Sequence, residues 1–153
     1  KIKKCSTIEN QNYINEEITF GIDKIDVFKK FKNQIEESKV NVLNNIKNIK
    51  KVSGKIAAYA APAKASTKLN YYGINSDIIE FIVEDNPLKH NKIIPGVNIP
   101  IYNVDYLIEK DIKVVIVLAW NFFDYIVDKN KSLIEKGIRF ISIKELEDQN
   151  FNF

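Results

Sequence analysis

One cysteine, one histidine, one arginine and one tryptophan stand among 153 residues, and methionine is absent. A single thiol, Cys5, excludes a disulfide framework and a thiolate metal site, and its place near a terminus gives it no catalytic role. His90, beside Lys89 in a polar stretch, has no second histidine with which to hold a metal and is assigned none. The net charge of +3 is carried almost wholly by lysine, with Arg139 the only guanidinium. Guanidinium is the usual bidentate reader of phosphates and bases, so nucleic acid is not an expected partner. The most apolar run, Val114 to Phe123, is ten residues long and closed off by Lys113 and Asp124. That is about half of a membrane span. Lys1 to Thr19 has no secretory h-region or cleavage site, so the expected compartment is the cytoplasm. The lack of an initiator methionine is what a fragment or trimmed chain would show. The five glycines fall in no dinucleotide or P-loop spacing, which counts against an independent enzyme using a nicotinamide cofactor.

What is present is apolar material for one core: 45% of the residues are hydrophobic, enough for a single domain of this length. Ile25, Phe28, Phe31, Ile35, Val42, Ile46 and Ile49 recur at helical steps, interrupted once at Ser38, and predict a long amphipathic helix over residues 25–50. Its lysines fall mainly off the stripe and read as a solvated face rather than an anionic-partner site. Residues 1–24 form an arm or interdomain segment with weak alternation around Tyr13, Ile14, Ile18 and Phe20, which admits a short strand. After Gly54 the pattern changes to short apolar runs separated by helical stretches. Lys55–Ala60, Ile78–Val83, Val114–Ala119 and Arg139–Ile143 read as buried parallel strands, with helices over Ala65–Tyr72, Val104–Lys110 and Phe123–Lys136. The expected class is therefore α/β: a Rossmann-like three-layer domain over residues 25–153 with a short, mainly parallel sheet, the long helix included at its start. Asn86 to Ile101 reads as an ordered, functional loop.

In an open parallel sheet, ligands bind outside the carboxyl ends of the strands, which singles out three segments. The first, Tyr59 to Thr67, is a run of small residues entering a helix whose amino end favours an anion; Lys64 adds positive charge, and Ser66 or Thr67 caps the helix or reaches an oxygen. A plain strand-to-helix turn is the competing reading. The second, Glu84 to His90, places Glu84 where related sheets hold ribose hydroxyls, although an acid there is often merely solvated. The third, Ala119 to Asp124, brings Trp120 for stacking or for the core, and Asn121 for a helix cap or a ligand. No nucleophile and base pair, carboxylate dyad or metal cluster accompanies them.

Together the three segments resemble the C-terminal domain of the S-adenosylmethionine-dependent sugar C-methyltransferases, from about Phe28 to Ile143. The family's Tyr-Gly-Ala, Ala-Lys-Gly and Leu-Asn-Tyr appear as Tyr59-Ala60-Ala61, Ala63-Lys64-Ala65 and Leu69-Asn70-Tyr71. Its Asp-Arg-Asn-Pro with Lys, Pro-Gly and Ile-Pro-Ile appears as Glu84-Asp85-Asn86-Pro87, Lys89, Pro95-Gly96 and Ile99-Pro100-Ile101, and its Trp-Asn as Trp120-Asn121 before Asp124. Ala60, Ala65 and Asn91 stand where the family has glycine, Glu84-Asp85 replaces Asp-Arg, and Tyr125 replaces an acid. The alanines put a methyl where backbone approaches a ligand, with strain wherever φ is positive. The resemblance implies a nucleotide-diphosphate sugar held for methyl transfer by a separate S-adenosylmethionine-binding catalytic domain, in cis or in trans. This chain itself would bind no cofactor or metal and supply no catalytic residue. Substrate contacts are then expected from Tyr59, Lys64, Asn70, Asn86, Lys89, Trp120 and Asn121, besides Ser66 and Glu84 from the segments themselves. The rival reading is a non-catalytic Rossmann-like interaction module that has lost ligand binding and docks a partner through the long helix.

Overall fold

The computed structural model describes residues 8–153, so Cys5 and the first residues of the N-terminal segment lie outside what is described. The chain divides after Glu37 into two units, Lys1–Glu37 and Ser38–Phe153. In the first, α1 (Ile8–Phe20) ends at Gly21, whose φ of 84° lets its N–H donate to the Glu17 and Ile18 carbonyls, both at 3.0 Å. Where a short strand was admissible, residues 8–20 are helical, and Ile14 and Ile18 fall one turn apart on one side. The helix α2 (Ile25–Ser53) begins in this unit and matches the length its apolar stripe predicts.

The second unit is built on five parallel strands: β1 (Ile56–Tyr59), β2 (Ile82–Val83), β3 (Ile101–Tyr102), β4 (Val114–Val117) and β5 (Arg139–Ser142), in the order β3-β2-β1-β4-β5. The α/β expectation holds, and the sheet is wholly parallel. Alternate residues of each strand point to opposite faces. Ile56, Ala58, Ile82, Val114, Ile116 and Ile141 pack on one side with Val42, Ile46 and Ile49 of α2 and with Ala65 and Leu69 of α3 (Ala63–Tyr72). Ala57, Tyr59, Val83, Val115 and Val117 pack on the other with Leu107 of α4 (Tyr106–Glu109), Ile126 of α5 (Phe123–Lys129) and Leu133 of α6 (Lys131–Glu135). These are the three expected layers.

Three details differ from the sequence reading. The second strand is only two residues, because the N–H groups of Ile78 and Ile79 both turn back to the Asn75 carbonyl at 3.1 Å. A fifth strand, β3, emerges at the end of the Asn86–Ile101 loop, where Ile82 and Val83 lie opposite Ile101 and Tyr102. The last helix is interrupted at Asn130, a buried side chain whose Nδ2 donates to the Ile126 carbonyl at 2.7 Å and so competes with the helical ladder.

Candidate functional site

The strand order changes direction between β1 and β4, the neighbours that carry connections to opposite halves of the sheet. The crevice outside their carboxyl ends is the place where such sheets bind ligands. All three sequence segments converge there. The first leaves β1 through Ala60, which has φ of 70° while its N–H donates to the Val83 carbonyl at 2.8 Å. Alanine thus holds a left-handed conformation at a position where the resembled family has glycine, and Asn91, at φ 60°, does so at a second. Ala65 is different. It lies in α3 with its methyl buried in the core, so it adds packing and does not obstruct the crevice.

Glu84 organises the β1 and β2 ends. Its Oε2 accepts the Ala61 N–H at 2.8 Å and Lys89 Nζ at 3.0 Å, and Oε1 accepts the Asn86 N–H at 3.1 Å. Lys89 also donates to the Ala61 carbonyl at 3.1 Å, and His90 Nε2 lies 2.7 Å from the Glu84 carbonyl oxygen. Burial by itself raises the carboxyl pKa. The hydrogen bonds from Ala61, Lys89 and Asn86 outweigh it and hold the group below the ordinary glutamate value. Glu84 is therefore a buried anion set against the entry to α3, with one acceptor position on Oε1 beyond the bonds it already makes.

Several predicted contacts are also engaged inside the protein. Tyr59 is 1% exposed, and its hydroxyl donates to Asp85 Oδ1 at 2.9 Å; burial and the nearby acids push its pKa well above the usual tyrosine value. Asp85 in turn pairs with Lys129 at 2.7 Å. Asn70 donates to the Ser66 carbonyl at 2.8 Å and to the Pro95 carbonyl at 2.9 Å, pinning the Pro95–Gly96 turn against α3. Asn86 Oδ1 accepts the Leu88 N–H at 3.0 Å and caps the 3-10 turn Pro87–Lys89. Ser66 and Thr67 lie within α3, which is preceded by Pro62 and has no side-chain cap. Asn121 lies within the 3-10 turn Trp120–Phe122 and does not cap α5, although it remains exposed.

Trp120 joins the first and third segments. Lys64 Nζ lies 4.7 Å and Lys68 Nζ 4.3 Å from its ring centre, one helical turn apart on α3. Lys68 is also paired with Glu147, which accepts the Tyr72 hydroxyl at 3.1 Å; burial pushes the Tyr72 pKa up to about 12, with Glu147 adding to the rise against the Ser38 hydrogen bond. Among the described residues no carboxylate pairs with Lys64. Lys68 was not singled out in the sequence. Its signal was available in the i,i+4 spacing from Lys64, which puts both ammonium groups on the side of α3 that meets Trp120. Beyond Trp120, an open groove of about 590 Å³ continues over the β4 and β5 ends, bordered by Phe123, Phe151 and Lys144 and by the carboxylates of Asp124, Glu145 and Asp148. Among the described residues no cluster of acids, histidines or cysteines could hold a metal.

Residues 3–143 match the family of C-methyltransferase C-terminal domains. The chain belongs to this family. A stretch of 126 residues is 29% identical to the C-methyltransferase NovU of Streptomyces niveus and covers 82% of this chain but 30% of that protein. The chain spans about a third of the length of the curated relative it matches. No helix among the described residues is long and apolar enough to cross a membrane.

Proposed function

We propose that this domain holds a nucleotide-diphosphate sugar for a cytoplasmic S-adenosylmethionine-dependent C-methyltransferase, the methyl donor being bound by a separate catalytic domain. The observation that carries the proposal is the pairing of Lys64 with Trp120 at the switch-point crevice. A diphosphate and a planar or sugar ring need a cation beside an aromatic face, and the amino end of α3 adds partial positive charge. Lys64 faces phosphate in this reading, Trp120 the ring, and Glu84 Oε1 a ligand hydroxyl. Tyr59, Asn70, Asn86 and Lys89 act as the framework that sets the loops, and Asn121 stands exposed at the mouth. Ser66 contributes its carbonyl to the Asn70 anchor. In this reading the general base that deprotonates the sugar carbon comes from the catalytic domain.

A thermal-shift titration with dTDP, UDP, GDP, S-adenosylmethionine and NAD tests this reading. A ligand present at about 100 times its Kd stabilises the native state by about 2.7 kcal/mol. One nucleoside diphosphate should raise the Tm, the two cofactors should not, and Lys64→Ala should abolish the rise. A shift with S-adenosylmethionine alone would refute the assignment. The rival, an interaction module that has lost ligand binding, is favoured by one observation: the Glu84 carboxylate already takes the Ala61 N–H beside the anion-binding end of α3. Absence of a shift with every nucleoside diphosphate, in this chain and in the full enzyme, would decide for it.

A further inference from the structure

Two ammonium groups meet one ring at the crevice, and they are not equivalent. Lys64 Nζ and Lys68 Nζ both lie within cation–π reach of Trp120, at 4.7 Å and 4.3 Å from a ring centre. Like charges gathered at one ring repel each other, and a carboxylate on either of them offsets the repulsion. Glu147 supplies that carboxylate to Lys68; Lys64 has none among the described residues. The Lys68 and Glu147 side chains are 26% and 28% exposed, so solvent screens this pair less than it screens a surface ion pair. Glu147 is in turn held through its backbone and its carboxylate. It ends the 3-10 turn Glu145–Glu147, whose Leu146 is wholly buried in the core. Asn45 Nδ2 donates to the Leu146 and Asp148 carbonyls, both at 3.0 Å, and Asn41 Nδ2 to the Glu147 carbonyl at 3.0 Å. The Oε1 that receives Lys68 also accepts the Tyr72 hydroxyl at 3.1 Å, which lies 3.2 Å from Ser38 Oγ.

We propose that Glu147 is a positioning residue for Trp120, acting through Lys68: the carboxylate clamps the Lys68 ammonium over the indole and so fixes the ring for the face of a ligand. A lysine has many rotamers, and an anchored carboxylate removes the freedom by which its ammonium would leave the ring. The clamp also divides the work of the two lysines. Lys68 is held against the ring by its partner, and Lys64 is left as the ammonium available to phosphate. Residues 3–143 match the family, and Glu147 lies past the end of that match, so the geometry carries its role. The ligand side of the proposal rests on the sugar-nucleotide reading, whereas the clamp on the ring stands without it.

Trp120 is the sole tryptophan, so the emission of the whole chain reports its ring alone. Glu147→Gln should move the emission maximum and increase quenching by acrylamide, and Lys68→Gln should do the same. The double variant should change no further than either single one, because the two residues act as one unit. Lys68→Arg should keep the original emission, since a guanidinium both stacks on an aromatic face and pairs with a carboxylate. Affinity for whichever of dTDP, UDP and GDP the unaltered chain binds should fall about threefold to tenfold in Glu147→Gln, the scale of a lost cation–π contact. Ser38→Ala, which removes the far end of the network and leaves the Lys68–Glu147 pair, should lower the Tm without moving the emission. If Glu147→Gln does not fold, Glu147→Asp, which withdraws the carboxylate by one methylene, should change the emission in the same direction. Unchanged emission in the folded Glu147 variant overturns the proposal. An equal change in Ser38→Ala does so too, because loosening of the turn is then the cause, and additive changes in the double variant exclude action through Lys68. Tighter nucleotide binding by Glu147→Gln also overturns it, since Lys68 is then a phosphate ligand held in check. If no nucleoside diphosphate binds the unaltered chain and the emission responds as expected, the clamp stands and the sugar-nucleotide reading fails.

Discussion

Gly96→Ala is a sharp test of how the loop after β2 is held. Gly96 has φ of +86°, and a Cβ placed there would lie 2.1 Å from Asn70 Oδ1 and 2.8 Å from its Cγ. The left-handed conformation costs an alanine about 1–2 kcal/mol. The overlap can be relieved only by moving Asn70, which breaks its bonds to the Ser66 and Pro95 carbonyls. Each is worth about 0.5–1.5 kcal/mol net, so the substitution should cost about 2–5 kcal/mol in all. Asn70→Ala alone should cost about 1–3 kcal/mol. In that background Gly96→Ala loses the overlap and should cost only the conformational part, about 1–2 kcal/mol. Urea unfolding of the four proteins gives the coupling directly, provided m is unchanged. Equal cost of Gly96→Ala in both backgrounds would refute the interlock and leave Asn70 free to serve as a ligand contact.

Ala60→Gly should stabilise the protein by about 0.5–1 kcal/mol, since relief of a left-handed alanine exceeds the added freedom of the unfolded chain; a scanning calorimeter should register a rise in Tm, and a fall would mean that the methyl packs productively. Because the Glu84 carboxyl is held below its ordinary value in the folded state, its contribution is fully present above the unfolded pKa of 4.5 and is lost as pH falls through the lower folded value. Glu84→Gln should therefore flatten the acid limb of a stability-against-pH curve, and an unchanged limb would show that the bonds to Ala61 and Asn86 do not favour the ionised form. Lys64→Ala should change stability by less than about 1 kcal/mol, the scale of a cation–π contact, but alter the fluorescence of Trp120, the sole tryptophan; an unchanged spectrum would contradict the stacking.

The strands that were legible are those with apolar residues on both faces. Val114–Val117 and Ile56–Tyr59 lie in the middle of the sheet, and burial on two sides leaves an uninterrupted apolar run in the sequence. Strand β3 sits at an edge and is two residues long, directly after Pro100, so it carries neither a run nor a period. The α2 stripe was legible over its full length, but periodicity reports only that a face is apolar. It cannot say whether that face is buried, as at Ile46, or exposed, as at Phe28.

The site was legible as a set of segments rather than as a set of contacts, for a chemical reason. A loop that cradles a polar ligand needs amides, carboxylates and ammonium groups near its backbone, and a loop that braces its neighbour needs the same groups. Asn70, Asn86, Glu84 and Lys89 satisfy the second need here: each bonds a backbone group of its own or an adjacent loop. Residues that brace are still required for binding, because they fix the positions of those that touch. Glutamine at 84 keeps one acceptor oxygen and sets an NH2 donor in place of the other, so either the Ala61 N–H and Lys89 ammonium or the Asn86 N–H loses its acceptor there. The tie between the β1–α3 chain and the β2 end is then weakened to the Lys89 bond to the Ala61 carbonyl and the Ala60 bond to the Val83 carbonyl. Glu84→Gln should therefore weaken nucleotide binding by way of Lys64 and the start of α3, even if Glu84 touches no ligand. In a cycle with Lys64→Ala, the effects of a bracing Glu84 would overlap, with the double variant little worse than Lys64→Ala alone. Fully additive losses of affinity would instead give Glu84 a contact of its own.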